Sequence, residues 1–297
     1  MMTNTLYLSN LRLAVLIDAE NVPRKSIKRV MEEIAIYGTP TIKRIYGDWT
    51  SHVVSGWKAS LLENAITPIQ QYSYTTGKNS SDSAMIIDAM DILYTEKTDG
   101  FVLVSSDSDF TRLAIRLREA GQRVIGIGER KTPSAFIAAC DKFTYIEVIY
   151  ERFAEIDSNA EGTHDEGGGH DEIGGHYGAG GHEKYDGNEV EAQNGLQPDT
   201  LHRNRSGHSS KNQTEKVPDA VVELIADSVA DLAGDSGSVF MGELGNLILK
   251  KQPDFDHRNF GYKSLSAMIK SIDRFETEFR QTTDPNIKHV FVRDKES

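Results

Sequence analysis

Residues 101–110 have the sequence FVLVSSDSDF, and the rest of the chain can be interpreted around them. Phe101 to Val104 form a short apolar run of strand-forming residues, which is typical of a strand buried on both faces of a parallel sheet. The chain then turns polar, and the apolar spacing of a helix follows. Asp107 and Asp109 therefore stand where a central strand passes into a helix, and ligands of open α/β sheets bind at that edge.

A purely local role also fits part of this segment. Ser106 as the N-cap and Asp109 at the third helical position would form a capping box, which satisfies backbone N–H groups at the start of a helix. For Asp109 the residues alone leave capping and ligand binding both open. Asp107 is more informative, because acidic residues elsewhere in the chain are expected at the same edge.

The composition indicates a two-domain protein without disulfides. The chain has 297 residues and one cysteine, Cys140, which predicts about two domains and a reducing, cytoplasmic location. We find no basic-then-apolar leader and no apolar run of the roughly 20 residues that a membrane helix needs. We therefore expect a soluble protein with no membrane partner.

The net charge of −12 is unevenly distributed. Residues 1–150 are neutral, residues 151–216 carry −8 and residues 217–297 carry −4. This distribution excludes a general basic field for nucleic acid, so RNA binding would depend on local patches or on metal ions.

Strand-like and helix-like segments alternate through residues 1–150, which predicts βαβ units and an α/β domain with helices on both faces of a parallel sheet. The predicted strands are Leu11–Ile17, Thr41–Tyr46, Ile66–Tyr72, Phe101–Val104, Arg123–Ile127 and an edge strand at Tyr145–Ile149. The main predicted helices are Pro23–Tyr37, Trp57–Ala65, Asp82–Tyr94 and Ser134–Cys140. Right-handed crossovers bring every strand-to-helix loop to one edge, and the first and fourth strands should be neighbours at the switch point.

Acidic residues from different loops should meet at this edge. Asp18 ends the first strand, Asp82 begins a helix and Asp107 follows the fourth strand. Like charges at close range raise one another's pKa, and a divalent cation removes that cost. Carboxylate oxygens suit Mg²⁺ or Mn²⁺, and such ions activate water in phosphodiester cleavage. Asp48, after the second strand, is a secondary candidate.

Other side chains at the same edge suit RNA. Candidate phosphate contacts are Lys78, Asn79, Ser105, Ser106, Arg130 and Lys131. Aromatic rings that could stack on bases are Trp49, His52, Tyr72 and Tyr74, although packing is the simpler role for Trp49.

Other classes of site fit less well. No G-x-G-x-x-G follows the first strand, no G-x-x-x-x-G-K-[ST] is present, and Gly126-Ile127-Gly128 follows the wrong strand for a nucleotide site. A phosphatase with an aspartyl nucleophile would place D-x-D after the first strand, whereas here D-S-D follows the fourth. A Toprim-like site needs a glutamate near the first strand, and Glu20 keeps that alternative open.

Three blocks of the N-terminal half resemble the signature of the NYN domain, a family of the PIN-like nuclease superfamily. They are LIDAEN at 16–21, GKNSSDSAMIIDAMD at 77–91 and SSDSDF at 105–110. The resemblance implies a PIN-like Rossmannoid sheet and an Mg²⁺- or Mn²⁺-dependent ribonuclease site. Its implied metal ligands are Asp18, Asp82 and Asp107, its accessory acid is Asp109, and its implied orienting or phosphate-binding residues are Asn21 and Lys78.

A low-complexity segment separates the two halves. Residues 151–216 are rich in glycine, acid and histidine, and Gly-Gly-His recurs at 168–170, 174–176 and 180–182. A segment with so little apolar content cannot offset its ordering entropy, so we expect a disordered acidic linker. Weak Zn²⁺ or Ni²⁺ binding by its histidines is the alternative.

Residues 217–297 predict a small winged-helix domain. Three amphipathic helices (Val217–Leu232, Val239–Leu249 and Gly261–Ile272) precede two strand-like runs at Phe275–Gln281 and Ile287–Val292. The segment FDHRNFGYKSL at 255–265 resembles the OST-HTH (LOTUS) domain, a module that binds RNA or a helicase. The candidate contact residues in this module are Arg258, Asn259, Tyr262, Lys263 and Ser264.

Two functions follow from these patterns. The first is a metal-dependent ribonuclease at the acidic edge, with the C-terminal module binding or recruiting RNA. The second is a regulatory module that binds RNA or a protein partner without turnover, in which the acids serve local structure. Metal-dependent cleavage distinguishes the two.

Overall fold

The computed structural model of the protein describes residues 11–50, 55–72, 80–95, 97–152, 216–234, 237–281 and 288–296. The predicted linker lies almost entirely outside these ranges, as do His52, Tyr74, Lys78 and Asn79.

Strands and helices alternate through the N-terminal domain as the sequence predicts. The strands are β1 (Arg12–Asp18), β2 (Thr39–Gly47), β3 (Thr67–Gln70), β4 (Gly100–Val104), β5 (Arg123–Gly128) and β6 (Lys142–Tyr145). The helices are α1 (Ile27–Tyr37), α2 (Lys58–Asn64), α3 (Ser80–Thr95), α4 (Thr111–Glu119), α5 (Ser134–Ala139) and α6 (residues 146–152). A short 3-10 turn at Arg24–Ser26 precedes α1.

The six strands form one parallel sheet in the order β3-β2-β1-β4-β5-β6. β1 and β4 pair from Leu13–Gly100 to Ile17–Val104, which confirms that the first and fourth strands are neighbours. Every residue of β4 is buried, because helices cover both faces of the sheet. This is a PIN-like α/β fold.

Alternate residues of the strands pack into two separate hydrophobic layers. In β1, Leu13, Val15 and Ile17 contact the layer that contains α1, whereas Ala14 and Leu16 contact the layer that contains α3 and α4. This alternation follows from the period of two in a strand. It holds β1 between the two layers and fixes where its carboxyl end emerges.

The prediction of an edge strand at Tyr145–Ile149 is wrong. β6 ends at Tyr145 and the chain continues as α6. Ile146 and Ile149 lie three residues apart, and both are buried in the layer that contains α1. This spacing belongs to one face of a helix, and a strand would have pointed the two side chains in opposite directions.

The C-terminal domain has the winged-helix plan. Its elements are α7 (Asp219–Leu232), β7 (Ser238–Phe240), α8 (Met241–Lys251), α9 (Leu265–Lys270), β8 (Phe275–Gln281) and β9 (Lys288–Asp294). The strands form an antiparallel sheet in the order β7-β9-β8. The helices cover one face of this sheet through a compact core of their own.

Two boundaries in this domain differ from the sequence prediction. The second predicted helix starts two residues later, because Ser238–Phe240 pairs with β9. The third starts at Leu265, because Gly261 adopts a left-handed φ of 75° and the Ser264 hydroxyl caps the helix by accepting from Ala267 N at 3.1 Å. Ser264, a candidate contact residue, therefore serves as an N-cap.

Gly126 and Gly128 of β5 have a role in packing. A Cβ atom at Gly126 would lie 2.4 Å from the Phe143 ring and 2.8 Å from Cys140 Sγ. A Cβ atom at Gly128 would lie 2.6 Å from the Ser105 carbonyl oxygen. Both glycines thus permit close packing of β5 against its neighbours.

We expect Gly126→Ala to lower the free energy of unfolding by roughly 1–3 kcal/mol, because the added methyl group overpacks the core beneath β6. Chemical denaturation of the full chain measures this change. Gly234→Ala is the control, since no atom of the described residues beyond its chain neighbours lies within 4 Å of its added Cβ. Equal stabilities of the two variants would contradict this account of the packing.

Candidate metal centre

Carboxylates from three segments lie at the carboxyl edge of the parallel sheet. Asp18 is the last residue of β1, Asp107 and Asp109 follow β4, and Asp82 lies in the first turn of α3. The edge lies where β1 and β4 adjoin, so their connections leave to opposite sides and open a crevice. The topology therefore brings together acids that are up to 91 positions apart in the sequence.

Three of these residues form a compact group. Asp82, Asp107 and Asp109 each offer one carboxylate oxygen, and these oxygens all lie within 4.8 Å of one another. Asp109 is exposed, whereas Asp82 is only 9% exposed. The group runs from the protein interior to the solvent, as an accessible cation site requires.

Asp18 lies beneath this group and is 1% exposed. Its Oδ1 accepts from Glu20 N at 3.0 Å and Asn21 N at 3.3 Å, and its Oδ2 accepts from Asn21 Nδ2 and Ser105 Oγ, each at 2.8 Å. Asn21 orients Asp18, as the family resemblance implies. Two of these three residues, Asp82 and Asp107, are among the ligands that the family resemblance implies, and the third, Asp109, is the accessory acid that it implies.

The hydroxyl of Ser105 connects the two central strands at this edge. It donates to Asp18 Oδ2 at 2.8 Å and accepts from Asp107 N at 3.1 Å. Asp107 then accepts from Asp109 N at 2.9 Å through Oδ1 and caps the 3-10 turn that precedes α4. Ser105 is fully buried, so its role is internal and it is not exposed to a phosphate.

The expectation that Ser106 caps this helix is wrong. Its hydroxyl accepts from Glu129 N at 2.9 Å, and Asp107 is the cap. The turn thus begins one residue later than the capping-box pattern suggests. Ser106 is 8% exposed and joins β4 to the loop after β5.

Electrostatic repulsion is concentrated on Asp82. Burial raises the pKa of its carboxyl group, and the nearby charges of Asp18, Asp107, Asp109 and Glu20 raise it further, to about 6 from an ordinary value of 3.8. A carboxyl group in this setting gains from a neighbouring positive charge. The donor set consists of hard carboxylate oxygens, so the residues present fit Mg²⁺ or Mn²⁺.

The candidate basic contacts are engaged within the protein. Lys131 Nζ pairs with Glu129 at 2.6 Å. Arg130 donates its backbone N–H to Glu147, and its guanidinium lies 5.4 Å from the centre of the Tyr145 ring. Both residues follow β5, two strands away from β1.

The candidate residues after β2 have structural partners. Asp48 Oδ1 accepts from Thr50 N at 3.1 Å and from Gln70 Nε2 at 3.0 Å. Trp49 packs against the layer that contains α1, and its Nε1 donates to Ile69 O at 2.9 Å. Asp48 thus orders the turn after β2. Tyr72 is 56% exposed.

Three of the candidate contact residues of the C-terminal module have partners within the protein. Arg258 forms ion pairs with Asp256 and with Glu33 of the N-terminal domain. Asn259 Nδ2 donates to Asp254 O at 3.2 Å, and Tyr262 packs against the domain core. Of the four contact candidates from 258 to 263, Lys263 is an exposed cation.

Sequence reasoning missed Glu33, which is 1% exposed. The sequence contained an indication of its burial, because Glu33 lies on the same face of α1 as the buried residues Val30 and Ile34. A carboxylate on the apolar face of an amphipathic helix indicates a buried cationic partner. That partner lies in the other domain, more than 200 residues away.

Comparison with known families agrees with this architecture. Residues 12–147 match the NYN domain, and residues 212–287 match the OST-HTH/LOTUS domain. The PIN-like sheet and the winged helix thus define a protein of two modules, one nuclease-like and one of an RNA-binding type. The chain thus carries an NYN domain followed by an OST-HTH/LOTUS domain.

Two solved structures are similar to part of the chain. A protein of unknown function from Vibrio parahaemolyticus is 18% identical, with a TM-score of 0.40, and the match covers 49% of this chain and 96% of that one. An uncharacterized protein from Nitrosomonas europaea is 30% identical, with a TM-score of 0.26, over 33% of this chain and 91% of that one. A search of curated proteins found no match. Among the described residues, no helix is long and apolar enough to cross a membrane.

We expect Asp82→Asn to stabilise the metal-free protein at pH 7 by about 2 kcal/mol, because it removes a carboxylate whose ionisation the fold disfavours. The raised pKa means that the wild type loses stability as the pH rises from 3.8 to about 6. The advantage of the variant should therefore vanish near pH 4 and be complete above pH 6. Thermal unfolding in EDTA across this range measures it.

Asp91→Asn is the matched control, since Asp91 is exposed on the same helix. Added Mn²⁺ should raise the melting temperature of the wild type and of Asp91→Asn, and much less that of Asp82→Asn. A pH-independent difference between Asp82→Asn and wild type would contradict the electrostatic account.

Proposed function

We propose that this protein is an Mg²⁺- or Mn²⁺-dependent ribonuclease that cleaves RNA phosphodiester bonds at the carboxyl edge of its NYN sheet. The observation that carries the proposal is the group of three carboxylate oxygens from Asp82, Asp107 and Asp109, all within 4.8 Å. NYN domains are nuclease-like and typically use divalent metals, and OST-HTH/LOTUS domains bind RNA. The order of the two modules supports an enzyme that binds and cuts RNA.

Asp82, Asp107 and Asp109 would hold the cation, and Asp18 would complete the negative charge beneath it. A bound divalent ion supplies Lewis acidity and lowers the pKa of water, which suits attack on phosphorus. The protein contributes positioning. Ser105 Oγ donates to Asp18 Oδ2 and accepts from Asp107 N. These two hydrogen bonds hold Asp18, at the end of β1, at a constant distance from Asp107, which follows β4.

RNA must reach a strongly acidic surface. The net charge of −12 repels a polyanion, so long-range attraction would not bring RNA to the site. We propose that the C-terminal domain recruits RNA and that the cation screens the acids where the phosphate approaches. We further propose a cytoplasmic location, in keeping with the single cysteine, Cys140, which is buried as a free thiol.

The test is cleavage of single-stranded and duplex RNA by the purified full chain. We expect cutting with Mn²⁺ or Mg²⁺ and none with EDTA. Asp107→Asn should lower the rate by at least on the order of 10²-fold, since even the outer-shell partners of metal ligands cost 10–100-fold. Asparagine caps helices as well as aspartate does, so this change removes the charge and keeps the turn.

Asp91→Asn again serves as the control and should cut within about twofold of wild type, because Asp91 is exposed on α3 outside the group of three acids. Cutting by Asp107→Asn at the wild-type rate, or in EDTA, would refute the assignment. Stabilisation by Mn²⁺ without cleavage of any substrate would support the alternative, a regulatory module that binds RNA or a protein partner without turnover.

A further inference from the structure

The C-terminal domain lies against the exposed edge of the NYN sheet. β6 is the last strand, and β5 pairs with one side of it. On its other side, Phe143 N donates to the carbonyl oxygen of Pro253 at 2.8 Å. Tyr145, at the carboxyl end of β6, donates its hydroxyl to Asp254 Oδ2 at 2.7 Å. Residues 253 and 254 thus cover the open edge that an unprotected sheet would present to other chains.

An ion pair next to this edge joins the two domains. Arg258 donates through Nη2 to Glu33 Oε1 at 2.7 Å and through Nη1 to Glu33 Oε2 at 3.0 Å. This two-pronged geometry is the strongest that a guanidinium and a carboxylate can form. The same guanidinium pairs with Asp256 at 2.6 Å, so one arginine side chain satisfies a carboxylate from each domain.

All three partners are removed from water. The Glu33 side chain is 1% exposed, that of Asp256 is 6% exposed and that of Arg258 is 18% exposed. Glu33 also accepts from Arg152 at 2.9 Å and from the Tyr37 hydroxyl at 2.7 Å. The carboxylate therefore has partners on both sides, two from its own domain and one from the C-terminal domain.

The charged state of Glu33 depends on these partners. Burial alone would raise the pKa of its carboxyl group, but hydrogen bonds from Arg258 and Tyr37 and the charge of Arg152 lower the pKa below its ordinary value. Removing Arg258 would leave both Glu33 and Asp256 as buried charges with weaker compensation. The loss of one partner of a buried pair is costly for this reason.

We propose that residues 253–258 are a docking element that holds the C-terminal domain on the NYN domain of the same chain, with Arg258 as its principal contact. The assigned partner surface is Glu33 on α1 together with the edge of β6. Arg258, although it lies in the helix-turn-helix segment, is a docking residue and does not contact RNA. The proposal does not depend on nuclease activity.

Docking has a geometric consequence for the whole protein. β6 is two strands from β4, and neighbouring strands are about 4.8 Å apart, so the docked edge lies roughly 10 Å across the sheet from the strand that leads to Asp107. A docked C-terminal domain thus keeps a constant position relative to the acidic group. A tethered domain would sample many positions.

The test uses the full chain with a protease site inserted between residues 153 and 215. The protease cuts this site after the protein has folded. We expect the two halves of the wild type to stay together in size-exclusion chromatography at micromolar concentration. Arg258→Met should weaken their association on the order of 10²-fold or more, because it leaves two buried carboxylates undercompensated. Dilution series of the cleaved protein measure the dissociation constant.

Glu33→Gln should weaken docking in the same direction by a smaller factor, since Arg258 keeps its pair with Asp256. The double variant Glu33→Gln/Arg258→Met should lose less than the product of the two single effects, because the two residues interact directly. Glu33, Asp256 and Arg258 line a cleft between the two domains, and Lys250 does not line it. Lys250→Met is the control, because it removes an exposed positive charge from the same domain.

Separation of the wild-type halves at tens of micromolar would overturn the proposal. So would association of Arg258→Met equal to that of Lys250→Met, or a loss of RNA affinity in Arg258→Met while its halves remain together. If Arg258→Met does not fold by circular dichroism, Glu33→Gln carries the test alone. None of these readouts requires RNA cleavage, so failure of the nuclease proposal leaves this one standing.

Discussion

The hydrogen bonds of the Ser105 hydroxyl hold the candidate site together. This group donates to Asp18 at the end of β1 and accepts from the backbone of Asp107 after β4. The two strands diverge in their connections at this point, so a crevice opens between them. The hydroxyl group of Ser105 connects the two sides of this crevice. A fully buried hydroxyl therefore helps to set the spacing on which the proposed metal binding would depend.

The acidic group illustrates how a fold can hold an unfavourable charge distribution in place. Two hydrophobic layers fix β1 and β4, and the carboxylates at their ends cannot move away from one another without disturbing the packing. The cost appears as the raised pKa of Asp82. Like-charged groups at functional sites commonly show such shifts, since the ligand removes the cost when it binds.

The interface between the domains differs from the acidic edge, because its buried charges are paired with opposite charges. There Glu33, Asp256 and Arg258 are buried with complementary charges, and each has a partner within hydrogen-bond distance. The acidic edge has an excess of negative charge that a cation can neutralise. The docked edge of β6 is already neutralised from within the chain. The region proposed to bind a cation is thus separate from the region where the two domains contact each other.

The sequence by itself determined the parallel sheet, the β1–β4 neighbourhood, the winged helix and the acids of the edge, because each depends on periodicity and order along the chain. Local turns were harder to predict from the sequence. The cap is Asp107, because the Ser106 hydroxyl accepts from Glu129 N in the loop after β5. Residues 146–152 form a helix where a strand was predicted. Ile146 and Ile149 are both buried in the layer that contains α1, and their spacing of three residues fits one face of a helix.

Only the tertiary structure shows which acids lie close together and what Arg258 contacts. Asp109 lies with Asp82 and Asp107, whereas the carboxylate of Asp18 accepts hydrogen bonds from Asn21 and Ser105. Arg258 turned to Glu33 because the C-terminal domain covers β6. Both outcomes depend on partners far apart in the chain. A local pattern shows which residues carry charge, but only the packed domains show which charges lie close enough to compensate one another.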